Sequence, residues 1–405
     1  MNTKIKKYKL NLKNILESLI VLICIMLTDT VTLFYNRNSY TIFVVIIGIV
    51  IIFKYFLKKK KFILYQYEIF YLFLPIIFIF FSQIINLDIS LGYEYKIILL
   101  LLGYIFAKTI SWENFIERYI NWITFITFFS LSIYILTFIN DSWYIILPET
   151  NNGDNYSLIF TTITKNKANS FRNFGPFWEP GVFQIYINFA LIFQIYREKK
   201  EKLWKNVILI LGIISTFSTT GYICFCFIII IYFMEQFLEK IKKKYFIFLF
   251  FSIVCGILIL KNSYIQNIVF SKFNSSNGSS ASFLIRLMDI KMYLKQWLEY
   301  PIFGQGITNS YSNAVLNYKN SQFFHFAGST STTLREFACF GICVGISRLL
   351  LQWNFCKMFT KNKISRICIF IVIMIFLNTE DLIYSIFMST IFYYAITEKK
   401  GRKKI

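Results

Sequence analysis

The sequence predicts an all-α, polytopic integral membrane protein with about twelve transmembrane helices, both termini cytoplasmic, and two long extracytoplasmic loops. Three observations predict it. Apolar runs recur along nearly the whole 405-residue chain, each close to the roughly 17 to 25 helical residues needed to cross a hydrocarbon core about 30 Å thick. Clusters of Lys and Arg fall into every second gap between those runs, as cytoplasmic connections do. Trp112, Trp122, Trp204 and Trp353 fall at the inner edges and Trp143, Trp178 and Trp297 at the outer ones, where amphipathic rings sit at headgroup level.

In order, the spans are expected at 15–35, 40–57, 68–87, 95–110, 119–139, 180–196, 203–218, 221–238, 245–261, 333–353, 364–379 and 382–397. The cytoplasmic gaps then hold Lys4 to Lys13, Lys58 to Lys61, Arg197 to Lys205, Lys240 to Lys244, Lys357 to Arg366 and Lys399 to Lys404. Most of the 43 basic residues fall inside in this orientation, and the reverse orientation is rejected. A net charge of +22 otherwise suggests nucleic acid, but these residues sit at helix ends and form no single patch among aromatics. The eight cysteines lie in expected spans or at a cytoplasmic edge, so neither a disulfide nor a metal site is expected. The basic start precedes a full-length span, so the N-terminus is expected to be retained.

The whole of 1–405 reads as one transmembrane domain, and its two long outward connections are 140–179 and 262–332. Loops of this length tend to carry function. In the second, Asn274 to Ser282 is Asn/Ser/Gly-rich, a flexible composition. After it, Phe283, Leu287, Ile290, Leu294, Trp297 and Leu298 form an apolar stripe, which predicts an amphipathic helix over 283–300, too polar to span. It would lie on the outer membrane surface, cap the bundle or pack against a neighbouring loop.

The candidates for chemistry concentrate in these loops. His325 is the single histidine, and an imidazole can take and return a proton near neutral pH. Arg172 stands seven residues before Glu179 in Arg172-Asn173-Phe174-Gly175-Pro176-Phe177-Trp178-Glu179-Pro180. Glu179 and Pro180 fit the start of a helix, while Arg172, Gly175 and Pro176 read as a constrained loop presenting a guanidinium suited to phosphate oxygens. Ser218-Thr219-Thr220-Gly221 reads as a tight outward turn, and Pro301-Ile302-Phe303-Gly304-Gln305-Gly306 as a turn whose glycines allow close backbone approach. Arg335 and Glu336 lie just inside the tenth span, where they can pair with each other. Glu380 and Asp381 separate two short apolar stretches, which predicts a hairpin with a recessed outward turn.

Over residues 170–350 these landmarks resemble the O-antigen polymerase and O-antigen ligase superfamily of bacterial surface-polysaccharide assembly. The resemblance rests on Arg172-x-x-Gly175-x-x-x-Glu179-Pro180, then Ser218 to Gly221, then Arg286 followed by Pro301-x-x-Gly304-x-Gly306. His325, Thr332-Thr333-Leu334 and Phe340-Gly341-Ile342 complete the order. Thr219 stands where the family often has Arg, and Phe326 follows His325 where ligases often have Asn; the second departure leans toward a polymerase.

The resemblance implies an inverting glycosyl transfer on the outer face of the bacterial cytoplasmic membrane. A polyprenyl-diphosphate-linked oligosaccharide would be the donor and another lipid-linked repeat unit the acceptor, the product being an O-antigen, capsule or exopolysaccharide. Arg172 and Arg286, with Arg335 third, would meet the diphosphate; His325, with Glu179 second, would serve as general base. No cofactor and no metal is implied, and membrane lipid, a chain-length regulator and a flippase are the implied partners. A ligase would share fold and residues but use another acceptor. A flippase or other transporter of lipid-linked sugars would show internal repeats, and no matching halves stand out; a non-catalytic scaffold would not need the His, Arg and Glu set.

Overall fold

The computed structural model describes residues 12–28, 30–31, 46, 50, 65–139, 143–150, 155–165, 171–197, 203–238, 281–319 and 329–398. The span expected at 245–261, that at 40–57 apart from residues 46 and 50, and His325 lie outside the described residues.

Among the described residues there are thirteen α-helices. These are α1 (Leu12–Met26), α2 (Gln66–Ile85), α3 (Gly92–Thr109), α4 (Trp112–Ile139), α5 (Pro180–Ile195), α6 (Leu203–Ser215), α7 (Thr219–Leu238), α8 (Ala281–Glu299), α9 (Ile307–Lys319), α10 (Thr333–Phe340), α11 (Ile342–Phe359), α12 (Lys363–Thr379) and α13 (Ile386–Thr397). Between α4 and α5 lies a short antiparallel hairpin, β1 (Asn155–Leu158) with β2 (Thr161–Thr164), paired Asn155 to Thr164 through Leu158 to Thr161. Among the described residues, helices stand where the apolar runs do, and the hairpin is an addition to the all-α expectation.

Among the described residues two helices, Gln66–Ile85 and Trp112–Ile139, are long and apolar enough to cross a membrane. Their outward faces are as apolar as their inward ones. On α2, Leu72, Pro75, Ile79 and Ser82 face the interior, while Phe70, Ile77, Phe81 and Ile84 are each about half exposed. Water does not sustain so large an apolar surface on a monomer, and lipid does.

The centre is built from α5 and α13, both buried along nearly their whole length. Tyr186 and Phe189 of α5 meet Phe387 of α13 at ring distances of 4.8 and 5.9 Å. Gly103 lets α3 close on α13, since a Cβ there would stand 3.0 Å from the backbone nitrogen of Thr390. Small residues set such approaches where the surroundings are as apolar as the side chains. Polar groups tie α5 to α7: Asn188 Nδ2 donates to Gln184 Oε1 at 2.8 Å and to the Gly221 carbonyl at 3.4 Å.

The run expected as one span over 333–353 is two helices, α10 and α11, broken at Gly341. Gly341 has φ 82° and ψ −174°, a region that side-chain-bearing residues avoid. The backbone groups freed by the break are taken up by the turn after α8. Gln305 N–H donates to the Ala338 carbonyl at 2.8 Å, Gly306 N–H to that of Cys339 at 3.1 Å, and Ile342 N–H to that of Pro301 at 2.8 Å. Thus the glycines of that turn do permit close approach, and the partner is the broken helix.

The second long connection contains α8, as its apolar stripe predicts, and also α9, which no sequence signal marked. Asp88, in the turn between α2 and α3, accepts from Thr308 N at 2.9 Å and Thr308 Oγ1 at 2.7 Å, while Tyr93 Oη accepts from Ile307 N at 2.9 Å. The start of α9 is therefore capped by side chains far off in the chain.

Candidate functional site

Three chain ends meet at one end of the bundle: the starts of α5 and α7 and the end of α12. The approach to α5 is cross-braced. Val31 N donates to the Pro176 carbonyl at 2.9 Å and Asn173 N to that of Ser215 at 2.9 Å. Asn173 Nδ2 reaches Ser215 Oγ and Ser130 Oγ at 3.0 and 3.2 Å, and its Oδ1 accepts from Gly175 N at 3.0 Å. Gly175, at φ 54°, lies against the Phe183 ring, where a Cβ would stand 2.7 Å away. This is the constrained loop the sequence suggests.

That loop delivers Arg172, whose Nε donates to the Thr216 carbonyl at 3.1 Å. The contribution of the turn at residues 216–221 to the site is therefore a backbone oxygen. Ser218 starts α7, its Oγ accepting from Gly221 N at 3.3 Å. A small cavity beside Arg172 is lined by Tyr134, Thr137, Asn173 and the β2 residues Thr161 to Thr164, which places the hairpin next to the guanidinium.

Glu179 is the N-cap residue of α5 with Pro180 following, but its side chain makes no capping hydrogen bond. The residue is exposed overall, although protein packs around its carboxyl group. Desolvation there raises its pKa above the usual carboxylate range, against the opposing pull of Arg286 and Arg172.

Facing it is Glu380, at the end of α12 and only 4 % exposed. Arg286 of α8 donates Nη2 to Glu380 Oε1 at 3.4 Å and Nε to the Thr379 carbonyl at 3.3 Å. Gly181, in the first turn of α5, touches the same carboxylate: a Cβ would stand 2.1 Å from Oε1. Burial, followed by the charge of Glu179, pushes Glu380 up to about 8, with Arg286 and Arg172 pulling the other way. Thr332 stitches the turn shut, donating Oγ1 to the Glu380 carbonyl oxygen at 2.8 Å and accepting from Leu382 N at 2.7 Å.

Arg172, Glu179 and Arg286 are thus brought into one electrostatic cluster. Glu380 joins them, its signal in the sequence being an acidic pair between two short apolar stretches. Arg335 and Glu336 do not pair with each other: successive helical residues point to different sides. Arg335 Nη1 donates to Asp381. Glu336 accepts from Lys96 Nζ at 2.6 Å, with Arg348 Nε 3.6 Å away. Among the described residues no group of His, Cys, Asp and Glu is arranged to hold a metal ion.

Two guanidiniums and two carboxylates thus lie together at one end of the bundle. Residues 206–347 match the O-antigen ligase family. The match covers about a third of the chain, includes Arg286, His325 and Arg335, and leaves Arg172, Glu179 and Glu380 outside it. It supports the superfamily resemblance carried by the sequence landmarks. Members of that family are membrane proteins that act on lipid-linked glycans, and glycosyl-transfer chemistry is the activity class the match supports. No curated protein matches the chain.

Proposed function

We propose that this protein polymerises polyprenyl-diphosphate-linked oligosaccharide repeat units into a surface polysaccharide, on the outer face of the bacterial cytoplasmic membrane. The observation that carries the reading is the meeting of Arg172 and Arg286 with Glu179 and Glu380 at one end of the bundle. In the transfer, an acceptor hydroxyl oxygen bonds to the donor's anomeric carbon as the bond to the phosphate oxygen breaks. The hydroxyl proton passes to a base, His325 first and Glu179 second. The leaving diphosphate keeps the electron pair, and Arg172 and Arg286 meet its charge without any need for protonation. Arg335 stands third, its guanidinium engaged by Asp381. Attack by the acceptor itself, with no carboxylate nucleophile, inverts the anomeric centre.

The twelve-span topology with both termini inside, the outward placement of 140–179 and 262–332, and partnership with a flippase and a chain-length regulator belong to the same proposal. The family description favours one second reading, a ligase that transfers the finished glycan to another acceptor. Deleting the gene and extracting the surface glycan separates the readings. Single repeat units in place of long chains indicate a polymerase; long chains left on the lipid carrier indicate a ligase. Repeats trapped inside the cell would indicate a flippase and end both.

A further inference from the structure

The charge count of the site raises a question that the transfer itself does not answer. Arg172 and Arg286 bring two positive charges, and Glu179 and Glu380, when ionised, bring two negative ones. Of the carboxylates, Glu380 lies deeper and is the one in contact with a cation, 3.4 Å from Arg286 Nη2. It also rests on Gly181 so closely that no side chain could stand between them. Gly181 belongs to the first turn of α5, at the positive end of that helix's dipole. A guanidinium and a helix N-terminus are what a phosphate oxygen would seek, and Glu380 already holds the place where they converge. A diphosphate diester adds two negative charges, giving four against two around the buried Glu380, an arrangement that a buried carboxylate resolves by protonation.

We infer that Glu380 is the resident counter-anion of the diphosphate site: it holds Arg286 against the first turn of α5 until the diphosphate of the lipid-linked glycan arrives, and takes up a proton as it yields that place. The inference rests on reading the cluster as a diphosphate site. One proton enters from solvent for each diphosphate bound and returns to solvent when the polyprenyl diphosphate leaves. The surroundings prepare the exchange. Glu380 is faced by Glu179 at the cap of α5, Arg172 in the preceding loop and Arg286 on α8. Next to it in the chain is Asp381, held by Arg335 of α10, and Tyr222 of α7 lies beside Arg172. With its titration placed at about 8, Glu380 needs little work to protonate near neutral pH, and the work grows above it.

The test is calorimetric titration of the full-length protein in lipid nanodiscs with farnesyl diphosphate, from pH 7 to 9, in pairs of buffers with different ionisation enthalpies. Wild type should take up about three-quarters of a proton per diphosphate at pH 8.5, rising toward one at pH 9, and its affinity should fall about tenfold per pH unit once Glu380 is ionised. Glu380→Gln should take up none, show a flat profile, and bind about tenfold tighter than wild type at pH 9. Equal proton uptake and equal pH slope in the two proteins, or weaker binding by Glu380→Gln, overturns the inference. If Glu380→Gln is not recovered folded, wild type alone decides, since binding without net proton uptake at pH 8.5 overturns it too. Arg172→Ala and Arg286→Ala test the underlying reading: if neither weakens farnesyl diphosphate binding, or wild type does not bind it, the diphosphate site falls and the inference with it. Binding lost in the Arg variants with an unchanged slope in Glu380→Gln sinks the inference alone.

Discussion

Replacing Gly341 with Ala should unravel the junction between α10, α11 and the turn after α8. The added Cβ would stand 2.0 Å from the Ile302 carbonyl oxygen, 2.4 Å from its carbon and 2.7 Å from Phe303 N. All three are backbone atoms, so no side chain can rotate away, and the turn must retreat by on the order of 1 Å to restore ordinary packing. That retreat pulls apart the bonds from Gln305 N, Gly306 N and Ile342 N, at 2.8, 3.1 and 2.8 Å, worth about 1 kcal/mol each. Holding Ala at φ 82°, ψ −174° adds about 1–3 kcal/mol of backbone strain. The total, about 4–6 kcal/mol, approaches the whole stability of many domains. Thermal unfolding of the detergent-purified variant, with limited proteolysis across residues 300–306, measures it. Gly212→Ala is the comparison, because its added Cβ meets mainly the Thr127 methyl at 2.3 Å, which can move. Gly341→Ala within about 1 kcal/mol of wild type would refute the reasoning.

Other outcomes follow from the charged interior. Glu336→Leu should destabilise by about 3–5 kcal/mol, since it strands Lys96 and Arg348 without an anion, whereas Lys96→Met leaves a balanced pair and costs about 1–3 kcal/mol through the Ile383 carbonyl it deserts. Thermal denaturation ranks the two, and the opposite order would be fatal to the argument. Because Glu380 has its pKa raised, folding binds its proton more tightly than the unfolded chain does, so stability should decline as pH rises from about 4.5 to about 8. Glu380→Gln should make that slope shallower, leaving the part due to Glu179 and Asp289, and exceed wild type by a few kcal/mol at pH 9; a wild-type slope in the variant counts against it. In cells, Arg172→Ala and His325→Ala should each cut chain growth by at least about a hundredfold at normal protein levels, read from glycan length; wild-type lengths in both would dismantle the site.

Much of the helical architecture among the described residues is legible because long apolar runs are a one-dimensional signal. The bounds of α2, α5, α7 and α12 lie within two residues of the expected spans. Other elements are decided by distant partners. The Ser/Asn-rich Ile307–Lys319 segment has weak helix propensity and forms α9 under the cap supplied by Asp88 and Tyr93. Gly341 interrupts an apolar run without changing its hydropathy, so only its dihedral angles disclose the break. Arg172 and Glu179 could be singled out because both lie in one short loop. Glu380 could be noticed but not placed, since its depth depends on Gly181 and Arg286, far away in sequence. The pairings of Glu336 with Lys96 and of Arg335 with Asp381 are invisible for the same reason.

Within the second long connection, one acidic side chain of α8 has a different consequence. Asp289, wholly buried, accepts from the Tyr318 hydroxyl at the end of α9 and, at 2.6 Å each, from Thr330 N and Oγ1 ahead of α10. The chain on either side of the stretch bearing His325 is therefore moored to a single carboxylate. That one side chain fixes α8, the end of α9 and the approach to α10 relative to one another. Asp289→Asn, which keeps the shape but gives up acceptor strength, would loosen all three attachments at once.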